Sequence, residues 1–228
     1  MHDGRMLRHW LMKNCHHFQT SHAIKAYTAF RNLWDTPIFE SRNFVAIPTV
    51  GALVEGWLLV VPKTPTLSFA RLSMPLFSEL EIFLNDVVPV IQSVYGPVCV
   101  FEHGPSCAAS AVGCGVDYAH LHLVPTECDL VAGAKKIAPQ IQWRGADSIK
   151  DICQSAKNDS GYWFVQQTYG IDECYIGTCP HENLVSQLFR KVIANHIGRP
   201  NDFDWKQHSG EVEIAATVEK LANATVLV

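Results

Sequence analysis

Residues 118–125 read Tyr118-Ala119-His120-Leu121-His122-Leu123-Val124-Pro125. Polar and apolar side chains alternate over the length of a strand. Successive strand residues point to opposite faces, so Ala119, Leu121 and Leu123 face a core and Tyr118, His120 and His122 face the other way. Two imidazoles then stand side by side on one surface. Each has a lone pair at neutral pH, which suits phosphoryl chemistry or a metal. The fold must therefore supply a sheet around this segment and a layer against its apolar face.

Working upstream, the small-residue loop GPSCAASAVGCG fills 104–115. Its Gly113, Cys114 and Gly115 allow backbone N–H groups to approach an anion closely. A strand over 98–102 precedes the loop, and 116–123 reads as its neighbour. Before these, Leu76, Leu80, Phe83, Leu84, Val87, Val88, Ile91 and Val94 recur every three or four residues, which predicts a helix over 75–95. Pro75 suits its first turn and Gly96-Pro97 its end, while Pro89 inside it predicts a bend or a break. From 38 to 61, short runs rich in Val, Ile, Phe and Trp read as an antiparallel meander, punctuated by Gly51, Gly56 and Pro62. Residues 1–35 read as a lead-in with one helix over 21–33.

Downstream, 140–143, 162–168 and 173–176 read as strands. The run 182–197 reads as an amphipathic helix, its stripe formed by Leu184, Val185, Leu188, Phe189, Val192, Ile193 and Ile197. Gln187, Arg190 and Lys191 lie largely off that stripe. A last helix is expected over 211–222. Strands flanking a helix make the class α+β.

A chain of 228 residues suits one large domain, or one domain with an added lobe. A net charge of -4, without a lysine or arginine run, argues against a dedicated nucleic-acid surface. No stretch is long and apolar enough to span a bilayer, and the first residues lack a signal-peptide core, so a cytoplasmic location is expected. The eight irregularly spaced cysteines suit reduced thiols better than a disulfide scaffold.

The segment 118–125 resembles the signature of the histidine-triad (HIT) nucleotide-binding family, three histidines alternating with apolar residues. EGWLLVVPK at 55–63, the helix over 75–95 and VCVFEHG at 98–104 stand in the family's order. The resemblance covers about 35–127. It divides the chain into a lead-in (1–34), a nucleotide-binding core (35–127) and an extension packed on it (128–228). SQLFRKVIANHIG at 186–198, with DFDW at 202–205, resembles the extension of longer HIT-like proteins and dinucleoside-polyphosphate phosphorylases. Two positions depart from the pattern. Tyr118 stands for the first triad histidine, and Pro65 stands where many members carry a histidine after the Pro62-Lys63 pair.

The resemblance implies a HIT-like antiparallel sheet with a packed helix and a C-terminal helical extension, often in a homodimer. It implies that His120 attacks the α-phosphorus of a nucleotide conjugate or dinucleoside polyphosphate and that His122 assists; Tyr118 in the catalytic set, with Pro65, means a retuned site, a changed reaction or a nucleotide pocket with little turnover. Gly113, Cys114, Gly115 and Val116 would receive the phosphate. Lys63, Glu102, His103, Gln187 and Arg190 complete the candidate substrate contacts. An imidazole can attack through one nitrogen while the other fixes its tautomer, so no metal or other cofactor is required.

Two other readings stand beside this one. A nucleotide sensor would use the same pocket without turnover. A zinc hydrolase would use His103, His120 and His122 as three nitrogen ligands. Cys15-His16-His17 and the set Cys174, Cys179 and His181 also contain ligand types, without a clean CxxC spacing. Trp57, Trp143 and Trp163 either stack on a base or fill the core. The base, the leaving group and the acceptor stay open.

Overall fold

The computed structural model describes residues 33–34, 36–108, 110–113, 117–154, 161–179 and 185–225. The helix expected over 21–33 lies almost wholly outside them. Eight strands form one sheet: β1 (Phe39–Glu40), β2 (Phe44–Pro48), β3 (Leu58–Pro62), β4 (Val98–Gly104), β5 (Leu121–Pro125), β6 (Gln142–Ala146), β7 (Tyr162–Gln166) and β8 (Cys174–Thr178). Their spatial order is β1-β2-β3-β5-β4-β7-β8-β6, and every neighbouring pair is antiparallel. The class is α+β, with a packed helix and a helical C-terminal extension. That extension also contributes β6, β7 and β8, joined to the earlier strands where β7 pairs with β4.

Helix α1 (Met74–Tyr95) lies on one face of the sheet. Phe77, Leu80, Leu84 and Val88 pack there with Val60, Val100, Leu121, Leu123, Phe164 and Ile176 in one buried cluster. Burying a side chain of this size contributes about 1.5–3 kcal/mol, which makes this layer a main source of stability. Pro75 sits in the first turn and Gly96 ends the helix at φ 88°. The break expected at Pro89 does not occur, and α1 runs through without interruption. Pro89 and Asn85 are both exposed, so water can satisfy the Asn85 carbonyl that the proline ring leaves unbonded.

Two helices cover the opposite face: α2 (Leu130–Ile137) and α3 (Leu188–His196). Val131, Ala134, Leu188, Phe189, Val192 and Ile193 cluster there with Trp57, Phe101, Val124, Trp163 and Val165. The sequence reading did not anticipate α2. It is short, and Gly133 interrupts its propensity. Its start is marked by Asp129, whose side chain accepts the Ala132 N–H at 2.8 Å. A Cβ on Gly133 would stand 2.3 Å from Val192 Cγ1, so the glycine is what lets α2 and α3 approach. A final helix, α4 (Glu211–Thr225), puts Ile214 into one core and Leu221 into the other.

The C-terminal segment also clasps the β2–β3 loop. Gly51 N–H donates to the Ser209 carbonyl at 2.9 Å. Arg190 donates to the Gly51 carbonyl, and Arg199 to that of Leu53 at 3.4 Å. His208 Nε2 lies 3.1 Å from the Ala52 carbonyl oxygen. Gly51 has φ 74°, and a Cβ there would press on the Trp205 backbone at 2.8 Å, so both conformation and space require glycine.

Candidate functional site

Strand β5 begins at Leu121, later than the sequence alternation suggests. Ala119 N–H leaves the sheet and donates to the Thr66 carbonyl at 2.7 Å. The strand ladder therefore does not extend back to Tyr118, although Ala119 still joins Leu121 and Leu123 in the α1-side core. The Tyr118 hydroxyl donates to the Pro62 carbonyl at the end of β3.

His122 lies inside β5, opposite Phe101 of β4 and Leu59 of β3. It is 5 % exposed. Its ring stacks on Phe101, with centroids 4.3 Å apart and planes 18° apart. The Trp57 indole N–H donates to its Nδ1 at 3.0 Å. A neutral imidazole that accepts at Nδ1 carries its proton on Nε2. His103, two residues past Phe101 on β4, faces the same side and is 2 % exposed. Its ring stacks on Phe189, and its Nε2 accepts the Phe189 N–H at 3.4 Å.

His120 stands before the strand and is half-buried. Its Nδ1 lies 2.7 Å from the Tyr118 carbonyl oxygen. A carbonyl can only accept, so Nδ1 carries the proton and the lone pair is on Nε2. The His120 and His122 ring centroids are 5.0 Å apart, and those of His103 and His122 are 6.0 Å apart. The three imidazoles thus form one group, of which His103 and His122 are enclosed.

Burial disfavours the charged form of each ring. It pushes His103 down to about 3, with the charges of His120 and Arg190 adding to the effect. It holds His122 well below the ordinary imidazole value, reinforced by His120, His103 and Arg190. It also lowers His120, against the opposing effect of the Tyr118 carbonyl bond. All three are neutral at pH 7. The group can offer a lone pair at His120 Nε2 and a proton at His122 Nε2.

Arg190 joins this side of the sheet. It is 3 % exposed, and its guanidinium carbon lies 5.0 Å from the Trp57 ring centroid. Its Nε donates to the Phe203 carbonyl at 2.6 Å. Gln187 holds the end of α3 with φ 56°, and its side chain bonds Asp204 and the Trp205 amide. Lys191 lies over the Phe203 ring rather than at the imidazoles.

Other sequence-identified residues lie elsewhere. Glu102 is 1 % exposed but faces the α1 side, where its carboxylate accepts the Phe69 N–H at 2.8 Å and the Tyr162 hydroxyl at 2.5 Å. Burial raises it to about 7 against those bonds. Lys63 is paired with Glu40 at 2.6 Å and also bonds the Ser41 carbonyl. Gly113 is buried, while Cys114, Gly115 and Val116 lie outside the described residues.

Trp57 and Trp163 are buried in the core beneath α2 and α3, and Trp143 packs against its edge. The contact of Trp57 with His122 escaped the sequence reading, which weighed it as a base-stacking or core residue. It becomes visible only through the β3–β5 register, where Leu59, two residues on, pairs with His122.

Among the described residues no three His, Cys, Asp or Glu side chains form a metal-holding group. Cys174 and Cys179 lie in opposite cores, and Cys15, His16, His17 and His181 lie outside the described residues. No described helix is long and apolar enough to cross a membrane. A cavity of about 490 Å³ between α2 and α3, lined by Cys128, Asp129, Lys136 and His196, contains none of the three imidazoles.

No family model matches the sequence, and no curated protein matches it. Among solved structures the chain is similar to a Hit-like protein involved in cell-cycle regulation from Bartonella henselae, at 14 % identity and a TM-score of 0.35. That alignment covers 40 % of this chain and 66 % of the other. It is also similar to a hypothetical histidine triad nucleotide-binding protein from Sulfolobus tokodaii, at 22 % identity and a TM-score of 0.33. That alignment covers 40 % of this chain and 59 % of the other. The chain spans less than two thirds of the length of either.

Proposed function

We propose that this protein is a HIT-like nucleotide-processing enzyme acting at the α-phosphate of a nucleotide conjugate or dinucleoside polyphosphate. The carrying observation is the 2.7 Å approach of His120 Nδ1 to the Tyr118 carbonyl oxygen. It fixes the tautomer that leaves Nε2 nucleophilic, beside a second imidazole with its proton on Nε2.

His120 Nε2 attacks the α-phosphorus, forming a P–N bond as the bond to the leaving oxygen breaks. His122 donates a hydrogen bond from its Nε2–H to that oxygen, which leaves as a phosphate-type anion. Water then attacks the same phosphorus, and its released proton passes to solvent. The P–N bond breaks, and a nucleoside monophosphate leaves. Phosphate or another acceptor in place of water gives a transferase from the same first step. Backbone N–H groups of Gly113, Cys114, Gly115 and Val116 receive the phosphate oxygens, and the buried Arg190 charge favours the anion. His103 supports His122, Tyr118 ties the approach to His120 to the end of β3, and Gln187 holds the start of α3 that carries Arg190.

One observation favours a second reading, nucleotide binding without turnover: His122 is 5 % exposed and packed against hydrocarbon. One experiment separates the two. The protein is incubated with adenylated, guanylated and uridylated conjugates, stopped in alkaline denaturant and analysed by mass spectrometry. A nucleotidyl mass on the His120 peptide, absent from His120→Ala, supports the enzyme. Tight binding with neither adduct nor monophosphate supports the sensor. The homodimer is tested by sedimentation of the same preparation.

A further inference from the structure

The face of the sheet away from the imidazoles carries a second polar network, and it reaches back to His120. Residues 66–71 form a strap across β4 and β7 that includes a single 3-10 turn, Phe69–Arg71. Its Phe69 N–H donates to Glu102 at 2.8 Å, and its Ala70 N–H to the Tyr162 hydroxyl at 3.1 Å. The Tyr162 hydroxyl is in turn bonded to the second Glu102 oxygen. Gly104 makes room for this arrangement, since a Cβ there would stand 2.1 Å from the Tyr162 ring.

The strap is anchored at its centre and works at its ends. At one end the Thr66 carbonyl accepts the Ala119 N–H at 2.7 Å, immediately before His120. At the other, Arg71 donates to the Ser106 carbonyl at 2.6 Å, in the loop that leads to Gly113. These contacts fix segments on both sides of the imidazole group that the sheet ladder does not hold.

We propose that Glu102 is a positioning residue: through Tyr162 and the 66–71 strap it sets the backbone from which His120 projects. The structural part of this inference stands on the strap alone, and its kinetic consequence rests on His120 being the nucleophile. A carboxylate suits the anchor because both of its oxygens can accept, one from Phe69 N–H and one from the Tyr162 hydroxyl. An amide offers one acceptor oxygen and must rearrange the network.

The test is residue-resolved amide hydrogen exchange on Glu102→Gln and Tyr162→Phe, on the full chain and at a single pH above 7, where Glu102 is ionised. Protection at Ala119 should fall at least tenfold in Glu102→Gln and less in Tyr162→Phe, with β2–β3 ladder amides within twofold of the parent. Unchanged protection at Ala119 in both variants overturns the proposal. So does an equal loss at Ala119 and in the ladder, which is general destabilisation. In the parent protein's nucleotidylation assay, both variants should slow adduct formation without weakening substrate binding. Absence of any adduct from the parent protein counts against the reading of His120, while the exchange result still decides the strap.

Discussion

On one face of the sheet, His103 of β4 is buried beneath α3; one residue earlier, on the other face, Glu102 is buried beside the 66–71 strap. Both sit in low-dielectric surroundings, and burial drives each toward its neutral form. For the base this means losing a proton, and for the acid it means keeping one. Unfolding at mildly acidic pH therefore takes up a proton at His103 and releases one at Glu102. Adjacent residues of a single strand couple stability to pH in opposite senses.

Substitutions and pH can break or sharpen this contrast. The largest expected effect falls on the imidazole face. His120→Ala should lower turnover by about a thousandfold or more while leaving the melting temperature nearly unchanged, because the half-buried ring adds little to the core. Steady-state assay and calorimetry check the two halves of that expectation.

The next effects follow from the pKa shifts. His103 falls from 6.5 to about 3 on folding, so its native form binds fewer protons between those values. Stability is then lost as pH drops below 6.5, by about 1.4 kcal/mol per unit at this group. His103→Gln should remove about one proton from the uptake on unfolding at pH 5. Urea denaturation as a function of pH measures it through the slope of ΔG.

Glu102 rises from 4.5 to about 7, so its native form binds more protons in between. Stability is lost as pH rises through that window. Glu102→Gln should therefore gain on the parent protein by up to about 3 kcal/mol between pH 4.5 and 8, in the same denaturation series. A difference that stays flat with pH would show that Glu102 does not titrate as its burial demands.

Smaller effects test the packing on each face. Gly104→Ala puts a methyl into the Tyr162 ring and should cost about 2 kcal/mol of stability. Trp57→Phe removes the indole donor to His122 Nδ1. It should cost about 1 kcal/mol and slow turnover by roughly tenfold, as the proton on His122 Nε2 loses its fixed tautomer. Turnover unchanged in Trp57→Phe would separate His122 from hydrogen-bond donation to the leaving oxygen.

Much of this contrast was legible in the sequence. The apolar spacing in 75–95 gave α1, and the strands read at 98–102 and 116–123 gave β4 and, set several residues too early, β5. The HxH alternation correctly put two imidazoles together. Three features were not legible, each for a physical reason. The late start of β5 at Leu121 goes with a bond from Ala119 to Thr66, a residue far away in sequence. The choice between Glu102 and His103 depends on β4–β5 register. The enclosure of His122 and His103 depends on α3 crossing the sheet after β4 has paired with β7. Local pattern constrains which residues share a face, but not what later covers that face.

The clasp between the β2–β3 loop and residues 190–209 has a consequence for synthesis. When the ribosome has delivered β5, the hairpins can form, but the outer edge of β4 is unpaired and the imidazole face is open to water. Translating the remaining residues to His208 takes roughly 4–16 s. During that interval the imidazole face lacks the cover of α3, and the exposed strand edge can bind other nascent chains. The rings acquire their full cover only when α3 emerges and the segment behind it closes on Gly51, so a stalled or truncated chain should be a chaperone client rather than a partial enzyme.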